Sequence, residues 1–170
     1  VTFSKKLKIY ENPNELLSIS LGSAETTLLK LSSAYSSFLN GGKLVTPILI
    51  DRIQDSEGNT ILNSESRKCN KCDQISHLSD EYPNIVDNFE QIFSPETVYQ
   101  MTSLLEGAVQ RGTGKGLKDL RLDLAGKTGT TNKNTDTWFI GFTSKLVIGV
   151  YVGFDEPQTL GKKETGAKTA

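Results

Sequence analysis

The amino-acid sequence predicts an α+β fold, an antiparallel sheet with helices packed on it. Two segments, at about residues 23–42 and 94–112, repeat apolar side chains at helical spacing. Residues 137–143 and 146–154 are apolar runs separated by only two residues, too few for a crossover to a parallel strand. Helices followed by adjacent antiparallel strands are typical of α+β domains, and 170 residues suffice for one such domain.

The first predicted helix ends at Gly41-Gly42 and has Ser23 as its expected N-cap. Its core-facing stripe consists of Leu28, Leu31, Tyr35 and Phe38. Residues 44–53 are aliphatic and β-branched, which predicts a strand that Pro47 limits to an edge or a strand start. A turn at 56–59 and a short partner strand at 60–62 follow, and then a long polar surface loop at 63–90.

The second predicted helix begins at Ser94, because a capping serine is followed by Pro95 at the first helical position and by the acidic Glu96. Gly112 is expected to end it, and its buried stripe consists of Val98, Met101, Leu105 and Ala108. Residues 120–124 alternate apolar and charged side chains, which predicts a half-buried strand before the two C-terminal ones.

Composition excludes several classes of function. Nineteen basic residues nearly balance twenty acidic ones, so the net charge of −1 gives no bulk attraction to nucleic acid, and no nucleic-acid partner is expected. The longest apolar run, residues 146–154, is less than half of the roughly 20 residues that a spanning helix needs. The chain starts at Val1 rather than at methionine, and we expect both ends to be cuts in a longer protein.

Cofactor and metal sites have weak support. Gly126-Lys127-Thr128 resembles the end of a phosphate loop, but the required earlier glycine would be residue 121, which is arginine. Cys69 and Cys72 have C-x-x-C spacing, yet a structural zinc site usually needs two such pairs. A disulfide and two free thiols are the other interpretations, and His77 is expected to be a solvated loop residue. No metal and no cofactor are therefore predicted.

Residues 127–130 form the segment with the clearest chemistry. On a strand, Thr128 and Thr130 share one face, Lys127 lies on the other, and Gly129 leaves room between them. Two hydroxyls and a cation suit a carboxylate, and free edge N–H groups suit an oxyanion. The alternative is a threonine-rich, exposed strand end with no catalytic role.

Lys-Thr-Gly at 127–129 and its surroundings resemble one protein family in one order. The chain is similar to the transpeptidase domain of the class A penicillin-binding proteins, bifunctional murein synthases of the 1A type. The matching motifs are Ser-Pro-Glu-Thr at 94–97, Arg-Gly-Thr-Gly at 111–114, Ala-Gly-Lys-Thr-Gly-Thr-Thr-Asn at 125–132, Trp-Phe-Ile-Gly at 138–141 and Gly-Ala-Lys-Thr-Ala at 166–170.

The resemblance implies roles for matching residues only. Lys127 would be catalytic, supporting proton transfer in the active-site floor. Thr128, Gly129 and Thr130 would bind the substrate, with the Thr130 N–H as an oxyanion donor, and the loop at 111–114 would lie near the cleft rim. The implied partners are the peptidoglycan stem peptide and β-lactams.

Two motifs of the family are missing. No lysine has a serine three residues before it, and no asparagine has one two residues before it, so S-x-x-K and S-x-N are absent. Residues 1–170 would then be the C-terminal part of a transpeptidase domain of the penicillin-binding and serine β-lactamase fold. The nucleophile, a glycosyltransferase domain and a membrane anchor would lie upstream, and the parent would sit at the periplasmic face of the cytoplasmic membrane.

Alone, such a fragment is expected to be inactive and to self-associate through an uncovered sheet face. Besides a zinc-ribbon-like module, which the single C-x-x-C pair supports least, there are two alternatives. One is a non-catalytic module that binds peptidoglycan or a partner protein. The other is a relative of the same superfamily, either a serine β-lactamase or a penicillin sensor.

Overall fold

A computed structural model shows that the chain consists of two units. Residues 1–64, 67–70 and 84–170 are described. One unit comprises residues 1–45 and 91–170, and the other comprises residues 46–90. In chain order the elements are α1 (Thr2–Lys6), a 3₁₀ turn (Leu17–Leu21), α2 (Leu28–Leu39), β1 (Arg52–Gln54), β2 (Thr60–Asn63), β3 (Lys68–Asn70), β4 (Asn84–Val86), α3 (Pro95–Gln110), a 3₁₀ turn (Lys115–Leu120), β5 (Ala125–Thr130), a 3₁₀ turn (Asn132–Asn134), β6 (Asp136–Phe142) and β7 (Val147–Gly153).

The larger unit contains the three-stranded sheet β5-β6-β7, and both of its strand pairs are antiparallel. The predicted α+β class is confirmed, as is the antiparallel pairing of the last two strands. Ala125, Phe142 and Val147 lie opposite one another across the sheet and so share one face. Leu105 of α3 and Tyr35, Phe38 and Leu39 of α2 pack against them to form the core. The helices therefore cover the face that carries Ala125.

The sequence predicted the start of one long helix correctly and that of the other incorrectly. Ser94 caps α3 as predicted, because its hydroxyl accepts from the Thr97 N–H at 3.3 Å. The same serine hydrogen bonds to Glu96 and lowers the pKa of that carboxyl. The expected cap of α2 is wrong: Thr27, not Ser23, accepts from the Lys30 N–H at 3.2 Å. The 3₁₀ turn Leu17–Leu21 ends at Gly22 and delays the helix start.

Two predicted strands are corrected. The strand predicted at 44–53 is mostly absent, because residues 44–51 form no strand and Pro47 has no N–H group to donate to a neighbouring strand. β1 begins at Arg52 and pairs with β2, the partner strand predicted at 60–62. Residues 120–124 are not a strand either. A 3₁₀ turn occupies Lys115–Leu120, and Arg121 adopts a left-handed backbone with φ of 53°. A left-handed residue cannot continue an extended strand.

The predicted loop at 63–90 is wrong in part, because β3 and β4 pair there with Cys69 opposite Ile85. Cys69 is disulfide-bonded, so of the interpretations that its C-x-x-C spacing allowed, the disulfide is the correct one for this residue. Cys72 and His77 lie outside the described residues.

The chain leaves and re-enters the larger unit at one place. Lys43 and Gln91 form an antiparallel bridge. The N–H groups of Ile92 and Phe93 both donate to the carbonyl of Gly42, at 2.8 and 3.1 Å. The start and end of the 46–90 excursion are thus joined side by side.

No helix in the described ranges combines the length and apolar character needed to cross a bilayer. The longest helix, α3, has 16 residues and buries only Val98, Leu105 and Val109. It is amphipathic rather than apolar all round, as expected for a helix that packs on a sheet.

Replacing Leu105 by alanine should destabilise the larger unit by about 2–5 kcal/mol, because a buried leucine leaves a cavity. Leu105 is 7% exposed, whereas Leu104 on the same helix is 69% exposed. The matched variant Leu104→Ala should change the free energy of unfolding by less than about 0.5 kcal/mol. Urea denaturation measures both, and equal losses would contradict the assigned burial.

Candidate functional site

β5 is an edge strand in the part of the chain that the structure describes, with only β6 as a neighbour. The N–H of Thr131 donates to the carbonyl of Asp136 at 3.1 Å, so the odd-numbered residues of β5 bond to β6. Main-chain groups alternate in direction along an antiparallel strand. The N–H groups of Thr128 and Thr130 therefore point out of the open edge of the sheet.

The Lys127 ammonium is held at the same open edge. Its side chain starts on the face that carries Ala125, and its Nζ donates to the carbonyl of Thr128 at 2.7 Å. That carbonyl also points outward by the same alternation. A cation consequently lies beside the unpaired N–H groups of the strand.

Thr128 is joined to the loop that follows α3. The hydroxyls of Thr128 and Thr113 are 2.6 Å apart. Of the two hydroxyl protons, one lies in this bond and the other remains available to a ligand. The loop at 111–114 thus contacts β5, but sequence analysis gave Thr113 no role. Its only sequence signal was its place in the Arg-Gly-Thr-Gly motif.

The loop turns sharply to reach the strand. The N–H groups of Gly112 and Gly114 both donate to the carbonyl of Ala108, at 3.2 and 3.0 Å. A Cβ on Gly112 would come within 2.8 Å of that carbonyl oxygen. A residue with a side chain would push the loop away from α3, and with it Thr113 from Thr128.

Thr130 contacts a second segment, residues 161–169, which we call the C-terminal turn. The N–H of Gly166 donates to the Thr130 hydroxyl at 3.1 Å. Asn134 anchors the turn, since its side-chain amide donates to the carbonyls of Gly161 and Glu164 at 3.0 and 2.7 Å. Sequence analysis did not find this contact, because the two segments are about 35 residues apart and no local pattern links them.

Gly129 lies opposite Trp138, and a Cβ on Gly129 would be 3.2 Å from the Trp138 Cβ. The Trp138 indole is fixed by the Tyr151 ring, at 4.7 Å between centroids, and by a 2.9 Å bond from its N–H to the Asp136 carboxylate. A side chain at 129 would therefore press on a tryptophan that has little freedom to move.

Chemically, these groups are suited to bind an anion on an extended chain. They offer one ammonium, hydroxyls on Thr113, Thr128 and Thr130, and outward N–H groups on one strand edge. Among the described residues, no three His, Cys, Asp or Glu side chains lie close enough to hold a metal ion. Sequence analysis named Lys127, Thr128, Gly129 and Thr130, and the structure places all four on β5.

Comparison with known proteins gives consistent matches. The profile of the penicillin binding protein transpeptidase domain family matches residues 4–170. Penicillin-binding protein 1A of Rickettsia bellii is 42% identical over 98% of this chain, and that of Neisseria lactamica is 38% identical over 93%. The crystal structure of penicillin-binding protein 1A from Haemophilus influenzae superposes with a TM-score of 0.79 at 29% identity, covering 99% of this chain and 28% of that one.

The match covers only part of those relatives. The chain spans 21% of the length of the Rickettsia bellii protein and 18% of that of the Neisseria lactamica protein. The similarity therefore concerns a segment of each relative, and that segment includes the strand with the candidate site.

Proposed function

Because this chain belongs to the penicillin binding protein transpeptidase domain family, we propose that the protein containing it is a peptidoglycan D,D-transpeptidase. Residues 1–170 would be the C-terminal portion of its transpeptidase domain. The relatives are named penicillin-binding protein 1A, which supports a class A protein with an additional glycosyltransferase domain. Such a protein would be anchored in the cytoplasmic membrane and would act on its periplasmic face.

The observation that carries the proposal is the open edge of β5, where the Lys127 ammonium lies beside outward main-chain N–H groups. A peptide can align along a free strand edge through main-chain hydrogen bonds. A stem peptide bound in this way would run beside residues 127–130. Its terminal carboxylate would accept hydrogen bonds from the hydroxyls of Thr128 and Thr130.

The proposed reaction is acyl transfer through a serine outside these residues. The serine oxygen attacks the peptide carbonyl, the C–N bond breaks, and the terminal residue leaves as an amine that takes the proton. An acceptor amine then attacks the acyl-enzyme ester, which forms the cross-link and returns the proton to the serine. A β-lactam would acylate the same serine by opening its ring.

The residues of this chain would assist both steps. The Thr130 N–H points outward and is suited to stabilise the oxyanion as it develops. The Lys127 ammonium would support proton transfer near the serine. Thr113 adds a hydroxyl next to Thr128 and is included in the proposed substrate site.

In the full-length protein, Lys127→Ala should slow acylation by a labelled penicillin about 10²–10⁴-fold, because it removes a group that assists proton transfer. Lys145→Ala is the matched control, since Lys145 is an exposed lysine in the turn between β6 and β7. It should leave the rate within about twofold. An unchanged rate in the Lys127 variant would contradict the proposed role.

The 170-residue chain alone should give no covalent adduct with penicillin, because it lacks S-x-x-K. Intact mass spectrometry after incubation with a labelled penicillin measures this directly, with the full-length protein as the positive control. An adduct on a serine or threonine within residues 1–170 would show that the nucleophile lies inside this chain.

The isolated chain should self-associate. β7 is the other edge of the described sheet, and the apolar side chains of Leu146, Ile148 and Phe154 on and beside it are exposed. These side chains leave an apolar part of the sheet uncovered, and exposed apolar patches promote association between chains. Sedimentation velocity should show a sedimentation coefficient that rises with concentration, and Ile148→Lys should reduce that rise. Monomeric behaviour at all concentrations would contradict the expectation.

A further inference from the structure

The two threonine hydroxyls on the site face of β5 differ in their hydrogen bonding. The Thr128 hydroxyl is hydrogen-bonded to the Thr113 hydroxyl. The Thr130 hydroxyl instead accepts a hydrogen bond from the Gly166 main chain, and it donates to no group among the described residues. Thr130 is exposed, so a ligand can reach its hydroxyl.

A hydroxyl has one proton and two lone pairs. When a fixed N–H group occupies one lone pair, the hydroxyl proton cannot point toward that N–H and must turn elsewhere. The Gly166 N–H therefore orients Thr130 as a hydrogen-bond donor. A donor oriented before binding selects an acceptor, and a carboxylate is the strongest acceptor that a peptide terminus offers.

Only glycine allows this contact. A Cβ on Gly166 would collide with the carbonyl oxygen of Gly129 and would come within 2.5 Å of that of Trp138. Both obstacles are main-chain atoms of paired strands, so neither can move aside without breaking the sheet. A larger residue would lift the C-terminal turn and remove its N–H from Thr130.

The turn is held in place from the other side by Asn134. The side-chain amide of Asn134 donates to the carbonyls of Gly161 and Glu164, and its main-chain carbonyl accepts from the Leu160 N–H at 2.8 Å. Asn134 has a left-handed backbone with φ of 53°, a conformation that asparagine tolerates better than most residues. Asn134 thus holds the C-terminal turn in the position from which Gly166 reaches Thr130.

We propose that Gly166 is a positioning residue that orients the Thr130 hydroxyl as a donor to the terminal carboxylate of the substrate. The C-terminal turn would therefore contribute to specificity for a free carboxylate without touching the substrate. This inference rests on the transpeptidase function proposed above.

The test compares benzylpenicillin with its methyl ester as acylating agents of the full-length protein. Gly166→Ala should lower the second-order acylation constant for benzylpenicillin about tenfold, the loss expected for one hydrogen bond to a charged group. The constant for the ester, which lacks the carboxylate charge, should change less than about threefold. Gly116→Ala is the matched control, because a Cβ there meets no atom within 4 Å, and it should change neither constant.

Two further variants keep the test decisive if Gly166→Ala does not fold. Asn134→Gly removes the amide that anchors the turn but permits the left-handed backbone. It should also lower the acylation constant for benzylpenicillin more than that for the ester, by a smaller factor than Gly166→Ala. Combining either variant with Thr130→Val should add no further selective loss, since the hydroxyl that the turn orients is then absent.

Equal slowing of both penicillins by the turn variants, or a selective loss that persists undiminished in the Thr130→Val background, would overturn the inference while leaving the proposed function intact. Failure of the unmodified full-length protein to react with either penicillin would instead overturn the proposed function, and the inference with it.

Discussion

Burial of one sheet face beneath α2 and α3 fixes the strand register on which the whole site depends. Ala125, Phe142 and Val147 must face the helices together, because they form one apolar row across three strands. Side chains alternate along a strand, so this row also decides that Thr128 and Thr130 face the opposite way. A slip of β5 by one residue would bury the threonines and expose Ala125. The apolar core and the polar site are two consequences of one register.

The sheet face that carries Thr128 and Thr130 also contains two glycines next to an aromatic ring. The Phe139 ring lies over positions 126 and 141, where a Cβ on either glycine would come within 3 Å of ring atoms. The aromatic ring therefore replaces side chains that two neighbouring strands do not have. This arrangement leaves Phe139 only 8% exposed on the face opposite Ala125. Thr128 therefore lies beside a buried aromatic ring on the same face of the sheet.

Local patterns in the sequence predicted the elements whose signals are local. The capping serine and proline of α3 and the two-residue connection between β6 and β7 both have unambiguous physical causes. The strand expected at 120–124 failed because alternation of side chains does not reveal the left-handed backbone of Arg121. For the candidate site, the sequence named four residues that lie on β5, but it gave Thr113 and Gly166 no roles. Their contacts with β5 are tertiary, and no spacing along the chain predicts them.

The pairing of Lys43 with Gln91 gives the 46–90 excursion a closed base. Two further main-chain hydrogen bonds to the Gly42 carbonyl hold the two ends of the excursion together. The ends therefore stay adjacent for any sequence between them. Doubling the length of a flexible loop with fixed ends costs only about 0.6 kcal/mol in closure entropy. Residues 46–90 can therefore be replaced by an inserted segment of a different length. The strand that carries Lys127 would keep its register through such an exchange.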